Sequence, residues 1–92
     1  MTYRQLQRAL EVFGLGERAS LKDIKDRHRL LVKKHHPDHN PAQAPERIRE
    51  INEAYRLLLE YCGGYRFCFS REEFLEQNPE ERLRQQFSQD PV

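Results

Sequence analysis

Apolar residues recur three or four positions apart in three stretches of this chain, which is the spacing of one face of an α-helix. Glycine and proline separate the stretches, and neither residue continues a helix well. The first helix is predicted to begin after Thr2 and to end at Gly14. The second is predicted to begin after Ser20, and the third to begin near Pro45 and end at Gly63. The pattern therefore predicts an all-α fold.

The starts of the first two helices carry capping signals. Gln5 follows Thr2 by three positions, and Asp23 follows Ser20 by three, which is the spacing of a capping box. Pro37 is expected to stop the second helix, because the residue before a proline is pushed out of the helical conformation.

The second predicted helix has two different faces. Its apolar face is formed by Leu21, Ile24, His28, Leu31, Val32 and His35. Its basic face is formed by four cations at helical spacing, Lys22, Lys25, Arg29 and Lys33. The apolar face is expected to pack in the core, and the basic face to meet solvent or an acidic partner.

The segment after the third helix has another pattern. Aromatic residues alternate with polar ones over residues 65–70, and a single alternating run without a partner strand cannot form a sheet. We expect an extended linker whose aromatic side chains pack on the core. Short helices are predicted after Ser70 and from Pro79. The expected division is a first domain of residues 1–64, with residues 65–92 packed on it or beside it.

Charge narrows the function further. The 92 residues carry a formal net charge of +1, well short of the usual footprint of a nucleic-acid-binding protein. Residues 21–36 hold six basic and two acidic side chains, whereas residues 71–92 hold three basic and six acidic ones. The acidic part could fold back and mask the basic face, but two solvated helices that seal the core are the favoured interpretation.

Several other function classes find no support in the sequence. No apolar run approaches the roughly 20 residues that span a bilayer, and the N-terminus lacks the apolar core of a signal peptide. We expect a cytoplasmic monomer without a membrane, in which Cys62 and Cys68 are free thiols. The histidines around Pro37 do not supply the four well-placed ligands of a structural zinc site, so neither metal nor cofactor is predicted. No nucleophile–base pair or phosphate loop indicates an enzyme.

Residues 10–62 resemble the J domain of DnaJ-like co-chaperones. The resemblance rests on the tripeptide His36-Pro37-Asp38 between two amphipathic helices, with Asn40 two positions further on. It rests equally on the Ile51-Asn52-Glu53-Ala54-Tyr55 segment of the third helix. The two motifs at the right distance are far more specific than the tripeptide alone.

The resemblance implies an antiparallel hairpin of the second and third helices, with the tripeptide in the loop between them. It also implies binding to a DnaK-type chaperone, whose ATP hydrolysis the J domain stimulates. In this family the basic face docks on the acidic nucleotide-binding domain, and the loop engages the domain junction. The implied partner-binding residues are His36, Pro37, Asp38 and Asn40 in the loop and Lys22, Lys25, Arg29 and Lys33 on the helix.

The chain departs from the family's pattern at several positions. Leu30 takes a position that is usually basic, and Arg27 replaces a usual alanine. The family's usual short fourth helix is absent, and other short helices replace it. These departures motivate an alternative, a J-like adaptor module that does not stimulate a chaperone. The intact tripeptide favours the co-chaperone, because nothing in the fold demands it.

Overall fold

A computed structural model of the chain describes residues 1–39 and 41–88. These residues form helices and connecting segments and contain no strand. The five helices are α1 (Tyr3–Phe13), α2 (Leu21–Lys34), α3 (Ala44–Gly63), α4 (Arg71–Gln77) and α5 (Pro79–Ser88). The predicted all-α fold, with two short C-terminal helices, is confirmed.

The starts of α1 and α2 follow the capping signals in the sequence. The hydroxyl of Thr2 accepts from the backbone N–H of Gln5 at 3.1 Å, and the N–H of Thr2 donates to Oε1 of Gln5 at 2.8 Å. Ser20 and Asp23 form the same reciprocal pair at 3.0 Å. Each pair satisfies N–H groups that the first turn of a helix leaves open. Gly14 ends α1 at a left-handed φ of 64°, which glycine adopts without steric cost.

The core lies between α1, α2 and α3. Phe13 of α1 is 1% exposed, and it meets Ile24 of α2 and Ile51 and Leu58 of α3 in one buried cluster. Burial of these apolar side chains supplies the main driving force for folding. The hairpin of α2 and α3 is antiparallel as expected, because His28 near the middle of α2 contacts Tyr55 near the middle of α3 while the loop joins their ends.

Two details of the core differ from the prediction. Leu21 was expected on the core face, but its side chain is exposed because the first turn of α2 lies at the edge of the packed helices. Small residues contribute more than expected, since Ala9, Ala44 and Ala54 are all buried. Alanines at these positions let neighbouring helices approach closely, and the spacing of large apolar residues does not reveal them.

The expectation that the aromatic linker packs on the core is wrong. Tyr65, Phe67 and Phe69 are exposed, the last of them to 92%. Their rings follow Tyr61 in a row, with neighbouring centroids 5.8 to 6.5 Å apart. The physical reason is that α1 already packs over the apolar face of the α2–α3 hairpin, so these rings contact one another instead.

The C-terminal helices pack on each other and not on the first three. Arg71 of α4 donates to Oε1 of Gln85 of α5 at 2.6 Å, and Arg82 pairs with Glu76 at 2.7 Å. Among the described helices, neither α4 nor α5 contacts α1, α2 or α3. The interpretation that they seal the core is therefore wrong, and no described part of them masks the basic face. The boundary at residue 64 stays a prediction.

Candidate functional site

The tripeptide His36-Pro37-Asp38 forms a tight turn just after the end of α2. The backbone N–H of His39 donates to the carbonyl oxygen of His36 at 2.9 Å and closes a four-residue turn. Pro37 stands second in this turn, where its fixed φ is favourable. The proline thus ends α2 and also shapes the loop that follows.

The imidazole of His36 supports this turn. The backbone N–H of Asp38 donates to Nδ1 of His36 at 3.2 Å, so Nδ1 is an acceptor and the ring proton lies on Nε2. One carboxylate oxygen of Asp38 lies 3.4 Å from the same Nδ1. The Asp38 side chain is 86% exposed, which leaves the carboxylate open to a donor such as an arginine of a partner.

The four cations of the predicted basic face lie on the exposed side of α2, but they are not equivalent. The ammonium of Lys22 and the guanidinium of Arg29 both pair with Asp26, at 2.7 and 2.5 Å. Lys25 and Lys33 form no ion pair with any described residue. Sequence reasoning counted Asp26 only as an acid within a basic stretch. Its distance of four residues from one cation and three from the other was the signal that could have revealed the pairing.

The pairing is reflected in the pKa values of the groups. Hydrogen bonds from Lys22 and then Arg29 lower the pKa of Asp26 below its usual range. The hydrogen bond to Asp26 in turn raises the pKa of Lys22. In both groups the charged form is the one stabilised. All three side chains are therefore charged at neutral pH.

His28 links α2 to α3 beside the basic face. Its ring stacks on Tyr55 with the centroids 3.8 Å apart and the planes 7° from parallel. Its Nε2 donates to Oδ1 of Asn52 at 3.0 Å. The prediction of a packed histidine is confirmed, whereas the role of Asn52 as its partner could not be found without the fold. These contacts fix α2 against α3 and so fix the base of the loop.

A groove of about 410 Å³ lies between α1, α2 and α3. Its walls carry charges of both signs, from Arg8, Glu11, Arg47 and Glu50, beside His35 and apolar side chains. None of its lining residues is a serine, threonine, cysteine or lysine that His35 could activate as a nucleophile. The arrangement suits recognition by a surface rather than chemistry in a pocket.

Some expectations concern groups that the structure treats differently. Asn40 lies outside the described residues. Over residues 1–39 and 41–88, no group of three or more histidine, cysteine or acidic side chains is placed to hold a metal ion. No helix in the same ranges is both long and apolar enough to cross a membrane. Cys62 and Cys68 are free thiols.

Comparison with known proteins confirms the resemblance. Residues 8–61 match the family model described as DnaJ domain. The Chaperone protein DnaJ of Orientia tsutsugamushi (strain Boryong) is 48% identical over 50 residues, and that of Clostridium kluyveri is 50% identical over 50 residues. Each match covers 52% of this chain but only 13% of the relative.

A further relative extends the match slightly. The "Uncharacterized 19.0 kDa protein in cobS 5'region" of Sinorhizobium sp is 47% identical over 53 residues, which is 55% of this chain and 31% of that protein. No solved structure matches the chain. The similarity is thus confined to the α1–α3 part of the chain and to a small part of each relative.

Proposed function

Because the chain belongs to the DnaJ-domain family, we propose that it is a co-chaperone that binds a DnaK-type chaperone and stimulates its ATP hydrolysis. The observation that supports this most is the exposed turn of His36, Pro37 and Asp38 directly after a helix with a basic face. The proposal concerns the J-domain activity alone, since the chain matches only 13% of its DnaJ relatives.

Two parts of one surface act together in this proposal. Lys22, Lys25, Arg29 and Lys33 attract an acidic docking surface on the partner and speed the encounter. Asp38 then offers its exposed carboxylate to a donor at the partner's domain junction. Pro37 keeps the turn in one conformation, so little order is lost on binding. Asn40 is assigned to the same contact from its position alone.

The chain itself breaks no bond in this mechanism. It regulates a chaperone ATPase by binding the hydrolysis-competent state more tightly than the other state, which is the requirement for any allosteric effector. Because α2 and α3 are joined by the contacts of His28, the loop and the basic face are presented as one rigid unit. We therefore assign the effect to the α1–α3 part.

The proposed complex contains one copy of this chain and neither nucleic acid nor membrane. The near-neutral net charge supports the first exclusion. A cytoplasmic location is part of the proposal, and the free thiols of Cys62 and Cys68 suit a reducing compartment.

Single-turnover ATP hydrolysis by a DnaK-type chaperone tests the proposal. The unmodified chain should accelerate hydrolysis, and His36→Gln should lose most of the acceleration. His39→Gln is the matched control, because His39 is an exposed neighbour that joins the turn only through its backbone. If a folded chain accelerates none of several DnaK-type chaperones, the proposed function is wrong.

An adaptor that binds a partner without stimulating ATP hydrolysis is the second candidate. Its support is Leu30, an apolar side chain that is 58% exposed beside the basic face, where the family usually has a cation. Binding of a DnaK-type chaperone with an unchanged hydrolysis rate would favour the adaptor over the co-chaperone.

A further inference from the structure

We propose that Asp26 is a specificity-determining residue of the docking face. It is an internal counter-ion that holds two of the four cations and slows docking on an acidic partner. This inference rests on the proposed function, and it goes beyond it by assigning an opposing role to a residue within the basic face.

Asp26 lies within the basic stripe and not at its edge. It follows Lys22 by four positions and precedes Arg29 by three, and residues at these separations are neighbours on a helix surface. Lys33 comes seven positions after Asp26, two turns further along the same face. A partner that approaches the stripe therefore meets the carboxylate together with the cations.

The ion pairs of Asp26 are exposed, and they are easily exchanged for others. The side chains of Lys22 and Arg29 are 82% and 76% exposed. Ion pairs in water contribute little to stability, since solvent screens them and the long side chains lose freedom. The order of lysine before aspartate along a helix is also the less favourable one. The fold therefore does not depend on these pairs, whereas the field of the basic face does.

The consequence appears when a second acidic surface arrives. Carboxylates of the partner must compete with Asp26 for Lys22 and Arg29, and they are repelled by Asp26 itself. Only Lys25 and Lys33 are present in the free chain without a described ion-pair partner. Charges at the edge of a contact act mainly on the rate of association and on its dependence on salt. Asp26 should therefore reduce the association rate and weaken the response to ionic strength.

The test compares Asp26→Asn with the unmodified chain. Asparagine keeps the size of the side chain and has a similar helix propensity, so the fold should be retained. The control is Glu80→Gln, which changes the net charge equally but lies on α5, a helix without contact to α2. Circular dichroism verifies that all three proteins are equally helical.

The measured quantity is the association rate constant with a DnaK-type chaperone, by stopped-flow fluorescence. Asp26→Asn should associate about threefold faster or more at roughly 50 mM salt, with the difference largely lost at roughly 500 mM, where charges are screened over a few ångströms. Glu80→Gln should stay close to the unmodified chain at both salt concentrations.

The outcomes separate this inference from the function on which it rests. If the unmodified chain binds and Asp26→Asn associates at the same rate or more slowly, the inference is overturned while the proposed function stands. An equal gain in Glu80→Gln also overturns it, because the effect would then belong to net charge. If neither the unmodified chain nor Asp26→Asn binds, both proposals are overturned.

Discussion

Replacement of His28 by alanine is expected to loosen α2 from α3 and to lower the free energy of unfolding. Two contacts are lost together in this variant. One is the stack on Tyr55, at 3.8 Å between ring centroids, and the other is the hydrogen bond to Asn52, at 3.0 Å. Both contacts join the two helices that hold the loop between them.

The size of the effect follows from these two contacts. An aromatic pair contributes about 0.5–1.5 kcal/mol beyond its buried area. The hydrogen bond contributes about 0.5–1 kcal/mol, at the lower end of the usual range because water can replace the histidine at the exposed Asn52. The expected loss is therefore about 1–2.5 kcal/mol, or about 4–8 °C in Tm for each kcal/mol in a domain of this size. His28→Phe keeps the ring and should lose only about 0.5–1 kcal/mol.

Urea unfolding followed by circular dichroism measures these differences. The set comprises His28→Ala, His28→Phe, Asn52→Ala and the double variant of His28 and Asn52 to alanine. The double variant should be less destabilised than the sum of its two single changes, because the shared hydrogen bond can be lost only once. A loss below about 0.5 kcal/mol in His28→Ala, the range of an ordinary surface change, would refute the reasoning. So would an equal loss in His28→Phe and His28→Ala.

Three further predictions concern the scaffold. Gly14→Ala should cost about 1–2 kcal/mol because φ is 64° there, whereas Gly63→Ala, inside α3 and with open space around its Cβ, should be neutral or stabilising; chemical denaturation of both checks this. Hydrogen bonds from its N-cap residue lower the pKa of Asp23, so its stabilising effect is present above about pH 4 and is lost as the pH falls through the lowered value. Asp23→Asn should thus lose less Tm on acidification than the unmodified chain, and equal losses would contradict this. Phe69→Ser should change the unfolding free energy by less than about 0.5 kcal/mol, while Phe13→Ala should cost about 3–5 kcal/mol; a large loss from Phe69→Ser would mean that the linker packs on the core after all.

The parts of the fold that the sequence predicts correctly are those with local causes. The caps at Thr2 and Ser20 form between residues three positions apart, so the chain needs no tertiary contact to set them. The turn at Pro37 is likewise set by one residue. The all-α fold follows because the apolar spacing is helical over three long stretches.

The parts that the sequence does not predict depend on which surfaces remain free after packing. Alternation places Tyr65, Phe67 and Phe69 on one side of an extended chain, but it cannot tell whether a helix already covers the core. The bond between His28 and Asn52 joins residues 24 positions apart, so it exists only once the hairpin has formed. The pairing of Asp26 was different, because its spacing was local and visible.

The central claim is that the exposed turn of this chain acts on a DnaK-type chaperone through Asp38. The most direct measurement is single-turnover ATP hydrolysis by that chaperone in the presence of the unmodified chain or of Asp38→Asn. The carboxylate of Asp38 is 86% exposed, so the variant should be as helical and as stable as the unmodified chain. The account predicts acceleration by the unmodified chain and none by Asp38→Asn. Equal acceleration by both proteins would contradict it.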